Sequence, residues 1–473
     1  MLALSVSAAA QTAEPKVTGT ISNVTRVESW SYFQPAPPSE TQPRAQTQGP
    51  IGDPTYTFIG DRAELGVRVA GARLDVIGAF NYVRLENLPT QAIGPGALGT
   101  GALYFAATGV RYSYQLYLGE LALRIKSRDG RTSLLVGRQP FSSGGEFVAR
   151  SAPLEALKRS RLHSRLIGNF EFALYQRRFD GIRFDHDRPA WHATAGVFVP
   201  TQGGFEESAN LSMPGVQVAT SSATFKRPAS EYQVFGALYR DRRPDKAVVQ
   251  NAITLERPVD ITVVTGGASY VSLSPVRTGE VDAVAWVAAQ AGDWYGRPHR
   301  AASVALEGGH RWTAAPMKPW LRAGYLWASG DGDGGDSRHG TFFQMIPTAR
   351  KYTLSTVASQ MNLRDLFAQL SIEPAQFRAR IELHALHLAA ATDHWYAGSG
   401  ATSSSGRYFG FSGRASGGKT GLGTVVEAAV DIPIRTYWSI NGYVATMSAG
   451  DVVQHWFTNK RLRFWLVENV VRF

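Results

Sequence analysis

Apolar and polar residues alternate along most of the chain, in segments of about ten residues that end at Gly, Asp or Pro. The stretch DRAELGVRV (residues 61–69) places Leu65, Val67 and Val69 on one face. The opposite face carries Arg62, Glu64, Gly66 and Arg68. Successive side chains of a β-strand point to opposite sides, so the pattern predicts strands with one apolar and one polar face.

Four further segments repeat this alternation: RLDVIGAFNY, GELALRIK, WLRAGYLW and FRARIELHAL. Aliphatic and aromatic residues again occupy one face of each segment. The opposite faces carry the charged or ionisable residues Asp75, Glu120, Arg124, Lys126, Arg322, Arg378, Arg380, Glu382 and His384. A soluble β-sandwich also alternates, with its polar face in water, so periodicity alone leaves both architectures open.

The lengths of the links between segments favour a barrel in lipid. Short links are expected at 70–73, 127–130 and 186–189, and long ones at 31–55, 85–110, 200–228 and 329–350. Short periplasmic turns and long extracellular loops are typical of outer-membrane barrels. Aromatic residues near strand ends suit interfacial girdles: Trp191, Trp286, Trp320, Trp327, Tyr437, Trp438, Trp456 and Trp465.

The ends of the chain fit a closed sheet. A first strand is expected near 17–30, and the final segment RFWLVENVVRF places Trp465, Val467 and Val471 on one face and ends in Phe473. Closure removes every free sheet edge, which lipid requires. We predict an all-β fold, a single transmembrane antiparallel barrel of about 18 strands (range roughly 16–18), with a lumen too wide for its wall side chains to fill.

Composition narrows the function. The chain has no cysteine, which excludes disulfides and thiolate chemistry, and no apolar run long enough for a membrane helix. Its net charge of +11 is dispersed rather than clustered, which argues against nucleic acid as a partner. Dispersed basic residues suit a long path for anions. The alternative is a basic surface that only aids solubility. We interpret residues 1–10 as the remnant of a secretory signal, with a disordered tail as the alternative, and 11–473 as one barrel domain.

If the apolar faces meet lipid, the charged faces line the lumen. The predicted pore-lining residues on the counted strands are Arg62, Glu64, Arg68, Arg124, Lys126, Arg322, Arg378, Arg380, Glu382 and His384. A confined lumen focuses positive potential, and guanidinium groups bind carboxylates, so we expect an anion path. The alternative is that the charges pair across strands and only stiffen the wall.

Catalytic and metal motifs are weak. GFSGRASGG lacks the spacing of a nucleophile elbow, and His384 and His387 would face opposite sides of a strand, so we expect no enzyme, no cofactor and no shared metal there. Asp331, Asp333 and Asp336 lie in a Gly-Asp turn that fails the EF-hand template, because its sixth and twelfth places hold Asp336 and Phe342. We interpret the three aspartates as a loop gate over the pore, with weak calcium binding as the alternative.

Five segments carry a family resemblance: LLVGRQPFSSGGE, YQRRFDGIRFD, SGDGDGGDSRHGTFFQMIPTARKY, NLRDLFAQLSIEP and HLAAATDHWYAGSGA. They resemble the alginate export family of bacterial outer-membrane proteins. The resemblance extends from about residue 55 to the end of the chain and implies an 18-stranded barrel with an arginine-rich lumen. By motif position it implies further lumen or rim residues, namely Arg138, Arg177, Arg178, Asp180, Arg183 and Asp185.

Three hypotheses follow for function. The first is passive export of an acidic, alginate-like exopolysaccharide, with a periplasmic export scaffold as a partner. The second is a general anion-selective porin for small-solute uptake, and the third is a secreted β-rich polysaccharide-processing enzyme. The first two imply a monomer in contact with outer-membrane lipid and lipopolysaccharide.

Overall fold

The computed structural model describes residues 15–34, 54–90, 101–204, 208–244, 246–247, 257–348, 353–355, 357–405 and 409–473. Residues 1–10, the predicted signal remnant, lie outside these ranges. In the described ranges, 18 antiparallel strands form one sheet. Its first half comprises β1 (Lys16–Ser31), β2 (Thr55–Ala70), β3 (Leu74–Glu86), β4 (Ser113–Lys126), β5 (Thr132–Gln139), β6 (Phe179–Asp187), β7 (Trp191–Pro200), β8 (Val216–Lys226) and β9 (Ser230–Asp241).

The second half of the sheet comprises β12 (Ile261–Val276), β13 (Gly279–Trp294), β14 (Arg297–Arg311), β15 (Trp320–Ala328), β16 (Leu363–Ile372), β17 (Arg378–Leu388), β20 (Gly421–Arg435), β21 (Trp438–Ala449) and β22 (Arg461–Arg472). Two small hairpins lie in loops: β10 (Lys246–Ala247) with β11 (Arg257–Pro258), and β18 (His394–Gly398) with β19 (Phe411–Ala415). The helices are α1 (Gly101–Thr108), α2 (Ala152–Arg161) and α3 (Asp451–Trp456). Among the described residues, no helix combines the length and apolar character needed to cross a membrane.

The first and last strands close the sheet into a barrel. β1 pairs with β2 on one side and with β22 on the other, with Val24 opposite Val470. Phe473, just after β22, exchanges backbone hydrogen bonds with Ile21 at 2.8 and 3.1 Å. The prediction of a closed antiparallel barrel of about 18 strands is confirmed.

The two ends of the barrel differ in their connections. One end, the short-turn end, carries brief links at 71–73, 127–131, 188–190, 227–229, 277–278, 312–319, 373–377 and 436–437, together with both chain termini of the sheet. The other end, the long-loop end, carries 32–54, 87–112, 140–178, 201–215, 242–260, 295–296, 329–362, 389–420 and 450–460. Short and long links therefore segregate as predicted, except that the two-residue turn 295–296 lies at the long-loop end.

One connection is shorter than the sequence predicts. The expected loop 200–228 contains strand β8, which pairs with both β7 and β9. This strand, VQVATSSATFK, carries Ala, Ser and Thr where other strands carry large apolar side chains, so its apolar face is weak. Backbone pairing with two neighbours holds it in the sheet despite that composition.

The predicted lipid face is exposed on the outside of the barrel. Leu65, Val67, Ile381 and Leu383 are 60%, 49%, 57% and 48% exposed, and their neighbours in sequence point inward. Two tryptophans predicted for the interfacial girdles, Trp286 and Trp320, point into the barrel instead of towards lipid. Trp286 is buried inside the barrel against Arg165, and Trp320 donates its Nε1 proton to the inward carboxylate of Asp282 at 2.7 Å.

Candidate functional site in the lumen

The half of the lumen nearest the long loops is filled. Inward-facing Phe58, Val83 and Val425 are almost completely buried. The side chain of Arg68, ten residues further along β2 on the same face, is 48% exposed. An empty 18-stranded barrel would leave its whole inner wall accessible. Loop residues therefore fold into the lumen and form its core, while the short-turn half stays open.

The main filling element is the connection 140–178 between β5 and β6, here called the inward segment. It contains α2, which starts at Ser151, whose side chain accepts the backbone N–H of Leu154. Pro153 in the first turn and three basic residues in the last turn suit the helix ends. Leu154 and Leu157 are buried. The sequence thus folds a short, well-capped amphipathic helix inside the barrel.

Basic residues of the inward segment bind carboxylates that project from the wall. Lys158 Nζ lies 2.7 Å from Glu231 on β9, and both side chains are 4% exposed. Arg165 contacts Glu307 on β14 at 3.4 Å and stacks over the Trp286 ring at 5.3 Å. Buried charges need partners to offset their desolvation, so these pairs fix where the helix sits.

Arg161, the last residue of α2, joins three strands. Its guanidinium contacts Glu382 on β17 at 3.1 Å and Glu307 on β14 at 3.4 Å. It also donates a hydrogen bond to Gln369 on β16 and lies 4.8 Å from the centre of the Phe367 ring. The planar fork of arginine suits this multiple contact better than a lysine would.

The end of the inward segment crosses to the opposite wall. Arg178 contacts Glu64 on β2 at 3.1 Å and Glu120 on β4 at 3.8 Å. Arg62 on β2 donates a hydrogen bond to the Ala173 carbonyl at 3.0 Å. The segment therefore bridges the lumen from the β14–β17 wall to the β2–β4 wall.

A second loop locks the inward segment in place. Residues 341–348 run beside it, with a parallel bridge between Ile167 and Ile346. Arg177 donates to the carbonyls of Ile346 at 2.8 Å and Ala401 at 2.7 Å. Burial lowers the pKa of Arg177, and the carbonyls supply the negative ends of dipoles in place of a carboxylate. Three loops, 140–178, 329–362 and 389–420, thus share one contact cluster.

An open cavity of about 570 Å³ remains beside α2, on the side of β14–β17 and β20. We call it the vestibule. Its six basic lining side chains are Arg161, Arg311, Lys318, Arg322, Arg378 and Arg380, and its four acidic ones are Glu373, Glu382, Glu427 and Asp431. The side chains of Arg378 and Arg380 are 69% and 37% exposed, and Lys318 is exposed as well, which makes these three the accessible cations of the vestibule.

The structure brings four predicted residues together around the vestibule. Arg322 binds Asp282 at 3.0 Å and Glu307 at 3.1 Å. Arg380 lies 3.9 Å from Glu382, which also lies 3.7 Å from His384. These contacts connect Arg322, Arg380, Glu382 and His384 with Arg161 in one network. Arg378, at the end of β17, instead pairs with Glu373 at 2.7 Å.

The other predicted residues form separate pairs along the wall. Arg68 and Lys126 both bind the buried carboxylate of Asp75, at 2.7 and 2.6 Å. Arg183 binds Asp185 at 2.9 Å. The remaining wall residues are Arg138, which binds Asp180 at 2.7 Å, and Arg124, whose buried Nε has no hydrogen-bond partner among the described residues. Glu64 and Arg62 bind the inward segment, as described above.

The three aspartates of the Gly-Asp turn lie at the long-loop end, and their carboxylates accept hydrogen bonds mainly from backbone N–H groups of the same loop. Asp331 accepts backbone N–H bonds from Asp333 and Gly340, each at 3.3 Å. Asp333 accepts from Gly335 at 3.0 Å, and Asp336 accepts from Arg338 at 2.7 Å. Burial raises the pKa of Asp331, which opposes the charged form. The turn is ordered by its own hydrogen bonds, and its roles as gate or calcium ligand stay predictions.

The most informative residues of this site were missing from the sequence prediction. Lys158, Arg161 and Arg165 lie in SAPLEALKRSRLHSR, where a serine cap, an early proline and a basic last turn signal a helix. Their partners Glu231 and Glu307 lie far away in sequence. Strand periodicity places those acids on the inner face but cannot pair them with a loop.

Comparisons with known proteins agree with this architecture. A family model described as alginate export matches residues 132–465. No curated protein sequence matches significantly. Solved structures match over nearly their whole length: OccAB1 of Acinetobacter baumannii (9% identity, TM-score 0.58, covering 97% of this chain and 96% of that one), and two from Pseudomonas aeruginosa. These are OccK9, also titled OpdG (10%, 0.59, 97% and 98%), and the outer membrane protein OpdK (8%, 0.57, 96% and 99%). At such low identity they support the fold alone.

Proposed function

Because this chain belongs to the alginate export family of outer-membrane β-barrels, we propose that it is a passive channel for small carboxylate-bearing solutes. Family and fold place it in the bacterial outer membrane as a barrel channel, which is generally not an enzymatic architecture. The observation that supports an anionic solute is the vestibule, where six basic side chains face four acidic ones in a confined space. Such a lumen attracts negative charge.

The accessible cations give the proposal its mechanism. Arg378 and Arg380 lie at the open, short-turn side of the vestibule, whereas Arg161 and Arg322 lie deeper and are paired with Glu307. A carboxylate entering from the short-turn end meets exposed guanidinium groups first. Neighbouring Glu373 and Glu382 compete for the same cations, which keeps each anion contact weak and lets the solute leave.

The size of the open space favours small solutes. The inward segment and the 341–348 loop occupy the long-loop half of the lumen, and the vestibule of about 570 Å³ is the scale of a small-molecule site. Extended polymer passage requires the inward segment to move. Export of an acidic exopolysaccharide is therefore the second candidate, and the family match to alginate export favours it.

Planar-bilayer recordings with a series of uronate oligomers distinguish the two candidates. We expect uronate monomers and dimers to reduce the chloride current at lower concentrations than other anions of equal charge. Longer uronate chains should have no greater effect than the dimer. Block that strengthens steadily with chain length favours polymer export.

A matched pair of variants tests the site itself. Arg378→Gln/Arg380→Gln removes the two exposed arginines and keeps exposed Lys318, so we expect a lower but not abolished preference for anions. Arg364→Gln is the control, because Arg364 lies on the outward face of β16. Unchanged selectivity in the double variant, or an equal loss in the control, would falsify the assignment of the vestibule as the anion path.

A further inference from the structure

Two buried carboxylates face each other at one edge of the vestibule. Glu382 on β17 pairs in register with Glu427 on β20, and the two residues are 4% and 3% exposed. Like charges directly opposite in a sheet repel, and burial increases the repulsion. Arg161 and Arg380 both approach Oε1 of Glu382, at 3.1 and 3.9 Å, whereas Glu427 forms no ion pair with a lysine or arginine among the described residues. The pair therefore calls for another positive group.

A histidine completes the cluster. His384, two residues after Glu382 on the same face, is fully buried. One ligand atom from each of Glu382, His384 and Glu427 lies within 4.8 Å of the other two. Small side-chain rotations bring such atoms to the spacing of ligands around one ion, whose bonds to nitrogen and oxygen are about 2.0–2.2 Å long.

The histidine ring is oriented as a metal ligand. Its Nδ1 lies 2.9 Å from Oδ2 of Asp365 on β16, which favours a proton on Nδ1 and a free lone pair on Nε2. That Nε2 is buried and has no hydrogen-bond partner among the described residues, and it lies 3.7 Å from Glu382. A carboxylate that holds the far nitrogen of an imidazole is the usual support of a metal-bound histidine.

Glu427 is held in a similar way. Its Oε2 accepts hydrogen bonds from the hydroxyls of Tyr443, at 2.6 Å, and Thr353. Its Oε1 is buried and has no hydrogen-bond partner within the described ranges. Two buried atoms, Nε2 of His384 and Oε1 of Glu427, thus lack hydrogen-bond partners among the described residues, in a cluster whose possible ligand atoms lie within 4.8 Å of one another.

We propose that Glu382, His384 and Glu427 bind a divalent transition metal ion of the Zn²⁺ class. One imidazole and two carboxylates form a donor set that suits Zn²⁺, whereas Ca²⁺ and Mg²⁺ prefer oxygen alone. The ion neutralises the facing carboxylates. Glu382 and Glu427 line the vestibule, which gives the ion a path from solvent. Bound there, it ties β17 to β20 next to the contact between Arg161 and the wall.

Zn²⁺ titration of the detergent-purified full chain, freed of metal with a chelator, tests the site. We expect one equivalent of Zn²⁺ to bind, and an excess of Mg²⁺ or Ca²⁺ not to displace it. Glu427→Gln removes a ligand and should weaken binding by about 100-fold or more, beyond the roughly 10–100-fold expected for the supporting residue in Asp365→Asn. Glu373→Gln, another vestibule acid outside the cluster, is the matched control and should bind normally.

Two results overturn the proposal. One is the absence of stoichiometric Zn²⁺ binding by the wild-type chain, in which case the cluster is a buried ion network of His384 with its acids. The other is an equal loss of binding in Glu373→Gln and Glu427→Gln. If Glu427→Gln does not fold, Co²⁺ added to the wild-type chain serves as the probe. Intense visible absorption bands, typical of Co²⁺ in a low-symmetry protein site, support the proposal. The weak bands of hydrated Co²⁺ overturn it.

Discussion

Removing the positive charge of Lys158 should release the inward segment from the barrel wall. Lys158 and Glu231 form an ion pair of 2.7 Å in which each side chain is only 4% exposed. Lys158→Met keeps the length of the side chain and leaves a buried carboxylate without its partner. Breaking a buried pair in this way costs about 3–5 kcal/mol, far more than the loss of a surface pair.

This cost falls on the docking of α2 rather than on the barrel, because the sheet keeps all its backbone pairing. Hydrogen exchange of the amides of 152–161 measures that local opening. A loss of about 3–5 kcal/mol predicts exchange faster by about two to nearly four orders of magnitude, since 1.4 kcal/mol is a factor of ten. Amides of β12 and β13, in the wall, should exchange at wild-type rates.

The double variant Lys158→Met/Glu231→Leu separates the charge effect from the packing effect. It replaces both charges by apolar side chains, which is often nearly neutral for stability. We expect its α2 amides to recover most of the wild-type protection. If the single variant exchanges like the wild type, or if the double variant is as unprotected as the single one, the ion pair does not hold the helix.

Two further predictions concern the loop 329–362 and its contact with the loop 389–420. Burial lowers the pKa of His339 well below its ordinary value, so the loop has its full stability above pH about 6.5 and loses it as the pH falls below that value towards the depressed pKa. Fluorescence of Trp294, which stacks on His339 at 4.2 Å, should change between pH 8 and 5 in wild type and less in His339→Gln; an identical change would refute this role. Gly400 has φ +80°, and an added Cβ would lie 2.2 Å from the carbonyl oxygen of Met345. Gly400→Ala should therefore displace the 341–348 loop and raise single-channel conductance, whereas Gly418→Ala, whose φ is also positive (+75°) but whose Cβ would meet no atom within 4 Å, should leave conductance unchanged.

The barrel could be predicted from sequence because the two-residue alternation of apolar and polar side chains is visible within each strand. Residues such as Leu65 and Val67 alternate with charged neighbours, and that alternation alone assigns the lipid face. Strand β8 was missed because Ala, Ser and Thr give no contrast between its faces. Trp286 was misassigned because a tryptophan suits a membrane interface and a packed lumen equally well.

The interior could not be predicted in the same way. The contact between Arg161 and Glu382 joins residues 221 apart in the chain, and nothing in either local sequence specifies the other. The candidate metal site has the same origin. From the sequence, His384 was compared only with His387, its neighbour on the opposite face. Its actual companions are Glu382 and, through the pairing of β17 with β20, Glu427.

The central claim, a passive channel with an anion-attracting vestibule, is tested most directly by the reversal potential of the wild-type chain across a planar bilayer in a KCl gradient. The six basic and four acidic side chains of the vestibule predict that chloride is more permeant than potassium, and that the preference weakens as ionic strength rises and screens the lumen. A reversal potential that shows potassium to be more permeant than chloride, or a membrane that stays non-conducting after insertion, would contradict the account.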